Sequence, residues 1–94
     1  DYETALGYLK QALAIQKEVG DSAGLCITLF NMGHIHWQNE EQQQALDVWV
    51  RVYRLARPMN LAQALAALEG LAGWLGLDGG LDAWEALANR MDGD

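Results

Sequence analysis

The chain has 94 residues, about half of them hydrophobic, which is enough for one domain with one small core. Its formal charge of −7 argues against a general nucleic-acid binder, which needs a basic face to displace phosphate counterions, and favours basic or neutral partners. No apolar run approaches the roughly 20 residues that span a bilayer, no signal peptide is visible, and the single cysteine, Cys26, cannot form an internal disulfide, which fits a reducing, cytoplasmic setting.

Abundant Ala and sparse Val and Ile favour helix over strand, and five helices can be read. The first runs from about Asp1 to Val19. Ala5, Leu6, Leu9, Ala12 and Leu13 fall at helical spacing, and Tyr8, Ile15 and Val19 form a second apolar stripe. Two stripes mean neighbours on two sides. The helical pattern is already under way at Asp1, as expected of a fragment of a larger protein. Gly20 stops this helix, and Asp21 or Ser22 caps the next.

The second helix spans about Ser22 to Gln38, with Leu25, Leu29, Met32, Ile35 and His36 on one side. Asn39-Glu40-Glu41 is a polar connection whose two carboxylates read as solvated. The third helix, about Glu41 to Arg57, carries Ala45, Leu46, Trp49, Val52, Tyr53 and Ala56. Pro58 cannot continue the hydrogen-bond ladder and ends it nearby. Asn60 is the expected cap of the fourth helix, which runs from Leu61 to Leu75 with Leu61, Leu65, Leu68, Ala72 and Leu75 on one side. Leu77-Asp78-Gly79-Gly80 forms a turn. A short fifth helix, Leu81 to Met91, presents Leu81, Trp84, Leu87 and Ala88 or Met91, and the polar end Asp92-Gly93-Asp94 is expected to fray.

These helices repeat. Ala5-Leu6 recurs forty residues on as Ala45-Leu46, Leu25 as Leu65, Met32 as Ala72, Gly33 as Gly73, and the turn at Gly20-Asp21 as Asn60-Leu61. A fixed period of this size marks stacked helical hairpins, which present a surface to another macromolecule. Glycine inside a helix costs about 1 kcal/mol relative to Ala. Gly33 and Gly73 are therefore expected where helices cross too closely for a side chain. Gly33, then small Ala45, then Trp49 and Val52 resembles the tetratricopeptide repeat. The period and the string Gly20-Asp21…Thr28-Leu29-Phe30-Asn31-Met32-Gly33 look like its kinesin-light-chain-type subgroup.

The resemblance implies an all-α helical-hairpin solenoid, a right-handed superhelix of about two and a half repeats. Residues 1–19 are a half repeat, 22–57 a full repeat, and 60–91 a second repeat or cap. The match is strong over residues 1–57 and weaker beyond, where Glu69 and Gly76 replace large residues and Ala86 best matches Ala45. The implied function is binding of a peptide or protein segment in a concave groove of first helices, without cofactor, metal or catalysis. Carried over by position, the groove-facing residues are Ile27, Phe30, Asn31, His34 and Gln38, then Ala67, Gly70, Leu71, Trp74 and Asp78. Asn31 matches the asparagine that, in the subgroup, bonds a ligand's main chain. An amide suits that task because it both donates and accepts. Satisfying a neighbouring backbone group is the plainer role for Asn31, as packing is for Phe30 and Trp74. Leu71 stands where Asn31 would recur. Trp37, Trp49 and Trp84 read as core. No groove position is Lys or Arg, so a carboxylate clamp is not expected.

Other readings weigh less. His34 and His36 point about 200° apart on a helix and cannot share a metal. Cys26 with His34 lacks an orienting acid or oxyanion hole, and Gly79-Gly80 lacks the Lys and strand of a phosphate loop. Arg51, Arg54 and Arg57 form a stripe that reads as a solvated face, with a docking patch for an acidic partner as the sharper alternative. An alternative function is homodimerisation through an uncovered face of the first helix, with Tyr2, Leu6, Leu9 and Leu13 as contacts. Another is a regulatory segment of a larger signalling protein or enzyme.

Overall fold

The computed structural model describes residues 1–92. The chain runs α1 (Tyr2–Val19), α2 (Ser22–Gln38), α3 (Gln42–Met59), α4 (Ala62–Leu75) and α5 (Leu81–Asp92), with no strand among the described residues. None of these helices is long and apolar enough to cross a membrane. The fraying expected at Gly93 and Asp94 lies outside the described residues.

Local chemistry sets the ends. Asp1 caps α1 by accepting from the Thr4 amide at 3.0 Å, and Asp21 caps α2 by accepting from Gly24 at 2.9 Å. Gly20 and Gly76 close α1 and α4 in the left-handed conformation, with φ of 74° and 77°. Two expected boundaries differ. Helix α3 continues through Pro58 to Met59. In the last turn a proline removes a single ladder bond, to the carbonyl four residues back, and the helix tolerates it there. Asn60 then terminates α3 rather than capping α4. It takes the left-handed conformation at φ 53°, which asparagine adopts more readily than most residues, and donates its N–H to Ala56 and Arg57. Leu61 occupies the cap position of α4 without a side-chain bond.

The most extensive interface is α2 on α3. Helix α1 covers the other flank of α2, and α4 and α5 pack together against α3. One continuous core results, centred on Trp49, Val50, Val52, Leu29, Leu68 and Trp84. Two tryptophans tie paired helices together: Trp49 Nε1 donates to the Phe30 carbonyl at 3.1 Å, and Trp84 Nε1 to the Leu68 carbonyl at 2.7 Å. Burying an indole without such a partner would leave an unpaired donor. Trp37 is half-buried and stands 5.9 Å from Trp49, ring centre to ring centre.

The close crossing expected at both glycines exists at one. Gly33 is buried, and a Cβ there would overlap the Trp49 indole. Gly73 is exposed and has nothing within 4 Å of such a Cβ. The buried stripe explains this. Cys26, Leu29, Met32 and Gly33 recur as buried Leu65, Leu68, Leu71 and Ala72, each thirty-nine residues on (Cys26 to Leu65) rather than forty. The small residue at the second crossing is thus Ala72, and the match of Gly33 to Gly73 is one residue out of phase with the packing.

The uncovered face expected on α1 is also corrected. Leu6 and Leu13 are buried, and Tyr2 and Leu9 pack against the same core. Helix α1 turns this stripe onto α2. Its exposed apolar residues are Tyr8, Ile15 and Val19.

Candidate functional site

Helices α2 and α4 present neighbouring faces because α3 lies behind both of them. Between them is a cavity of about 340 Å³. Helix α2 supplies Ala23, Cys26, Ile27, Phe30 and Asn31, one helical face at spacings of three and four. Leu61, Ala62, Gln63, Ala64 and Ala67 form the facing wall, and Val52 of α3 lines it as well. Its only polar side chains are the amides of Asn31 and Gln63, so an apolar body with few polar groups suits it.

Of the residues expected in a groove, Ile27, Phe30, Asn31 and Ala67 lie together here. Ile27 is 61% exposed, an unusual position for an isoleucine. His34 and Trp74 sit beside them in an aromatic cluster rather than in the cavity lining. The His34 ring stands 4.8 Å from Phe30, 5.3 Å from Trp49 and 6.3 Å from Trp74, and Trp74 stands 6.0 Å from Trp37. Trp74 is 64% exposed despite these contacts. Burial pushes the His34 imidazole down, which favours its neutral form. Gln38, Gly70 and Asp78 are exposed but do not line the cavity. Leu71 is a correction: it is buried, because it continues the stripe of Leu65 and Leu68 and is the counterpart of Met32 instead of Asn31.

Sequence reading missed Ala23, Cys26, Val52, Leu61, Ala62, Gln63 and Ala64 as lining residues. Ala23 was legible, one turn before Ile27 on the same face. Leu61 read as core because its leucines fall at helical spacing with Leu65 and Leu68. Cys26 contacts the cavity from an almost fully buried position, and burial pushes its thiol up, away from thiolate reactivity.

A second polar constellation was also missed. Glu41, read as solvated, is half-buried, and its side chain does not cap α3. It accepts from the Tyr2 hydroxyl of α1 and pairs with His36 Nδ1 at 2.8 Å. The Tyr2 hydroxyl lies 3.5 Å from the same nitrogen. This cluster pins α1 to the α2–α3 turn. The bond from Tyr2, then that from His36, holds the Glu41 carboxyl below its ordinary range. A depressed carboxyl contributes stability that is full above the unfolded value of about 4.3 and lost as pH falls through the folded one. Melting temperature between about pH 7 and pH 3 should therefore fall more steeply in the parent than in Glu41→Gln. Parallel curves would show that the ionised carboxylate adds nothing.

The sequence model of one family, described as tetratricopeptide repeat, matches residues 1–57. No curated protein and no solved structure matches the chain.

Proposed function

This chain belongs to the tetratricopeptide repeat family, whose repeats are generally protein–protein interaction modules, and we propose that it binds a peptide or protein segment in the groove between α2 and α4. The observation that carries this reading is one apolar cavity shared by both helices, with exposed Ile27 in its lining and exposed Trp74 in the adjoining aromatic cluster. An extended segment would seat an apolar side chain against Phe30, Val52 and Leu61. The Asn31 amide would bond its main chain, and Trp74 with His34 would offer an aromatic shelf beside the cavity. Aromatic anchors of this kind dominate many interfaces. With no Lys or Arg in the wall and a charge of −7 overall, the suited ligand is neutral or basic.

The test is selection of peptides on the immobilised chain, followed by titration of the selected peptides. Asn31→Ala combined with Trp74→Ala should weaken them by about thirtyfold, the loss of an anchor contributing ~2 kcal/mol. Both residues are exposed, so melting should be nearly unchanged. Peptides that bind the double variant as well as the parent would place recognition elsewhere.

A second reading, self-association, is favoured by the stripe of exposed Tyr8, Ile15 and Val19 on α1. Light scattering across a concentration series separates the two readings, since only self-association raises the mass.

A further inference from the structure

On the opposite side of α2 from the groove is a second cleft of about 390 Å³, lined by Lys17 of α1, Leu25 and Leu29 of α2, and Arg51, Arg54 and Leu55 of α3. Helical geometry puts Leu25 and Leu29 on the face away from Ile27 and Asn31, so the cleft and the groove are separate surfaces. We propose that this cleft docks an acidic peptide segment, with an aliphatic side chain over the three leucines and carboxylates on Lys17 and Arg51.

The charge distribution carries the argument. The chain has only 6 Lys and Arg against 13 Asp and Glu. Three of those cations line this cleft, and none of its described lining residues is acidic. Elsewhere the surface is dominated by carboxylates. An acidic ligand is thus repelled from most of the molecule and attracted here, which fixes where it docks. At physiological salt fields decay over about 8 Å, so the local cations outweigh the distant negative charge. One of these cations is also positioned before a ligand arrives. Arg54 is fixed by a 3.0 Å bond from Nη2 to the Ala88 carbonyl of α5, and Arg51 lies one turn earlier on the same face of α3. On the α1 side, Thr28 donates to Gln16 at 2.8 Å and holds the turn carrying Lys17 against α2. Charges spread over two helices match carboxylates distributed along a peptide better than one anionic headgroup.

The probes are a fluorescein-labelled peptide of interleaved leucine and glutamate and its lysine-for-glutamate counterpart, titrated into the intact chain by anisotropy. Arg51→Glu should weaken the glutamate peptide about tenfold, since it sets like charges against each other. It should not weaken the lysine peptide, and Trp74→Ala should leave the glutamate peptide unchanged. Circular dichroism checks that the exposed Arg51 position tolerates the exchange. Four outcomes would overturn the proposal: no binding of the glutamate peptide, equal binding by Arg51→Glu, loss in Trp74→Ala instead, or an Arg51→Glu effect confined to anionic lipid vesicles or to the mass of a dimer. Of these, only loss in Trp74→Ala would move the glutamate peptide to the groove, whose own selected ligands are tested separately by the Asn31→Ala and Trp74→Ala pair.

Discussion

Gly33→Leu is expected to destabilise the chain by about 3 kcal/mol or more. Gly33 is buried, and a Cβ alone would meet the indole ring of Trp49. That ring has nowhere to go. It is 0% exposed, its Nε1 is bonded to Phe30, and the rings of Phe30, His34, Trp37 and Trp84 stand around it. Overpacking a core typically costs about 1–3 kcal/mol, and occasionally more. Four added carbons against an immobile indole belong at the upper end of that range or beyond, a large share of the roughly 5–15 kcal/mol that a whole domain has. The matching substitution at the other glycine should have the opposite sign. Gly73 lies in α4 with open space around it, so Gly73→Ala should stabilise by about 1 kcal/mol through helix propensity alone. Urea midpoints of the two variants and the parent check both claims. A Gly33→Leu variant as stable as the parent would mean that the helices separate at little cost.

The two glycines also show how far the sequence reaches. Repeated residues identify stacked hairpins, and the breakers Gly20 and Asp21 place the first turn correctly, because local conformational preference dominates there. Phase is harder. The buried stripes of α2 and α4 are thirty-nine residues apart, whereas the most visible identities are forty apart (Cys26 to Leu65 against Gly33 to Gly73). One residue rotates a helical face by about 100°. That is enough to take Gly73 out of the crossing and to bury Leu71. Pro58 and Asn60 mislead for a related reason: each permits more than one role, and packing at the end of α3 selects between them.

The groove was partly legible for the same physical reason that the fold was. Ile27, Phe30 and Asn31 lie within the best-matched stretch, where the periodic pattern and the family pattern agree. The facing wall lies in the diverged half: of its residues Ala67 is expected there, but Ala62 and Ala64 look like any other alanine to a pattern of apolar spacing. The cluster of Tyr2, His36 and Glu41 was not legible at all. It joins residues thirty-nine apart (Tyr2 to Glu41) through side-chain directions that only the docked helices define. The arginine stripe shows the intermediate case. Its spacing is plain in the sequence, but Lys17, Leu25 and Leu29 come from other helices.

Trp49→Ala should destabilise by about 3–5 kcal/mol, the range for truncating a fully buried tryptophan. The mechanism differs from that of Gly33→Leu, and the difference can be measured. Truncation opens a cavity against Gly33, removes a hydrogen bond to Phe30 and strips the support from under the Phe30 and His34 rings. Because Gly33 and Trp49 occupy one space, their substitutions should not add. Gly33→Ala in a Trp49→Phe background should cost less than Gly33→Ala in the parent, with a coupling of roughly 0.5–3 kcal/mol, since the smaller ring no longer meets the new methyl. Additive urea midpoints would show that the two residues do not compete for volume, and the crossing would then need another explanation. The same Trp49→Phe variant links packing to recognition. Phe30 lines the groove and His34 stands beside it, both resting on this indole, so a folded Trp49→Phe protein should bind the selected groove peptides more weakly. It should still bind the acidic peptide at the Arg51 cleft, which Trp49 does not line. Loss of both would mean that the substitution loosens the whole chain, and loss of neither would mean that the groove wall holds its shape without the ring behind it.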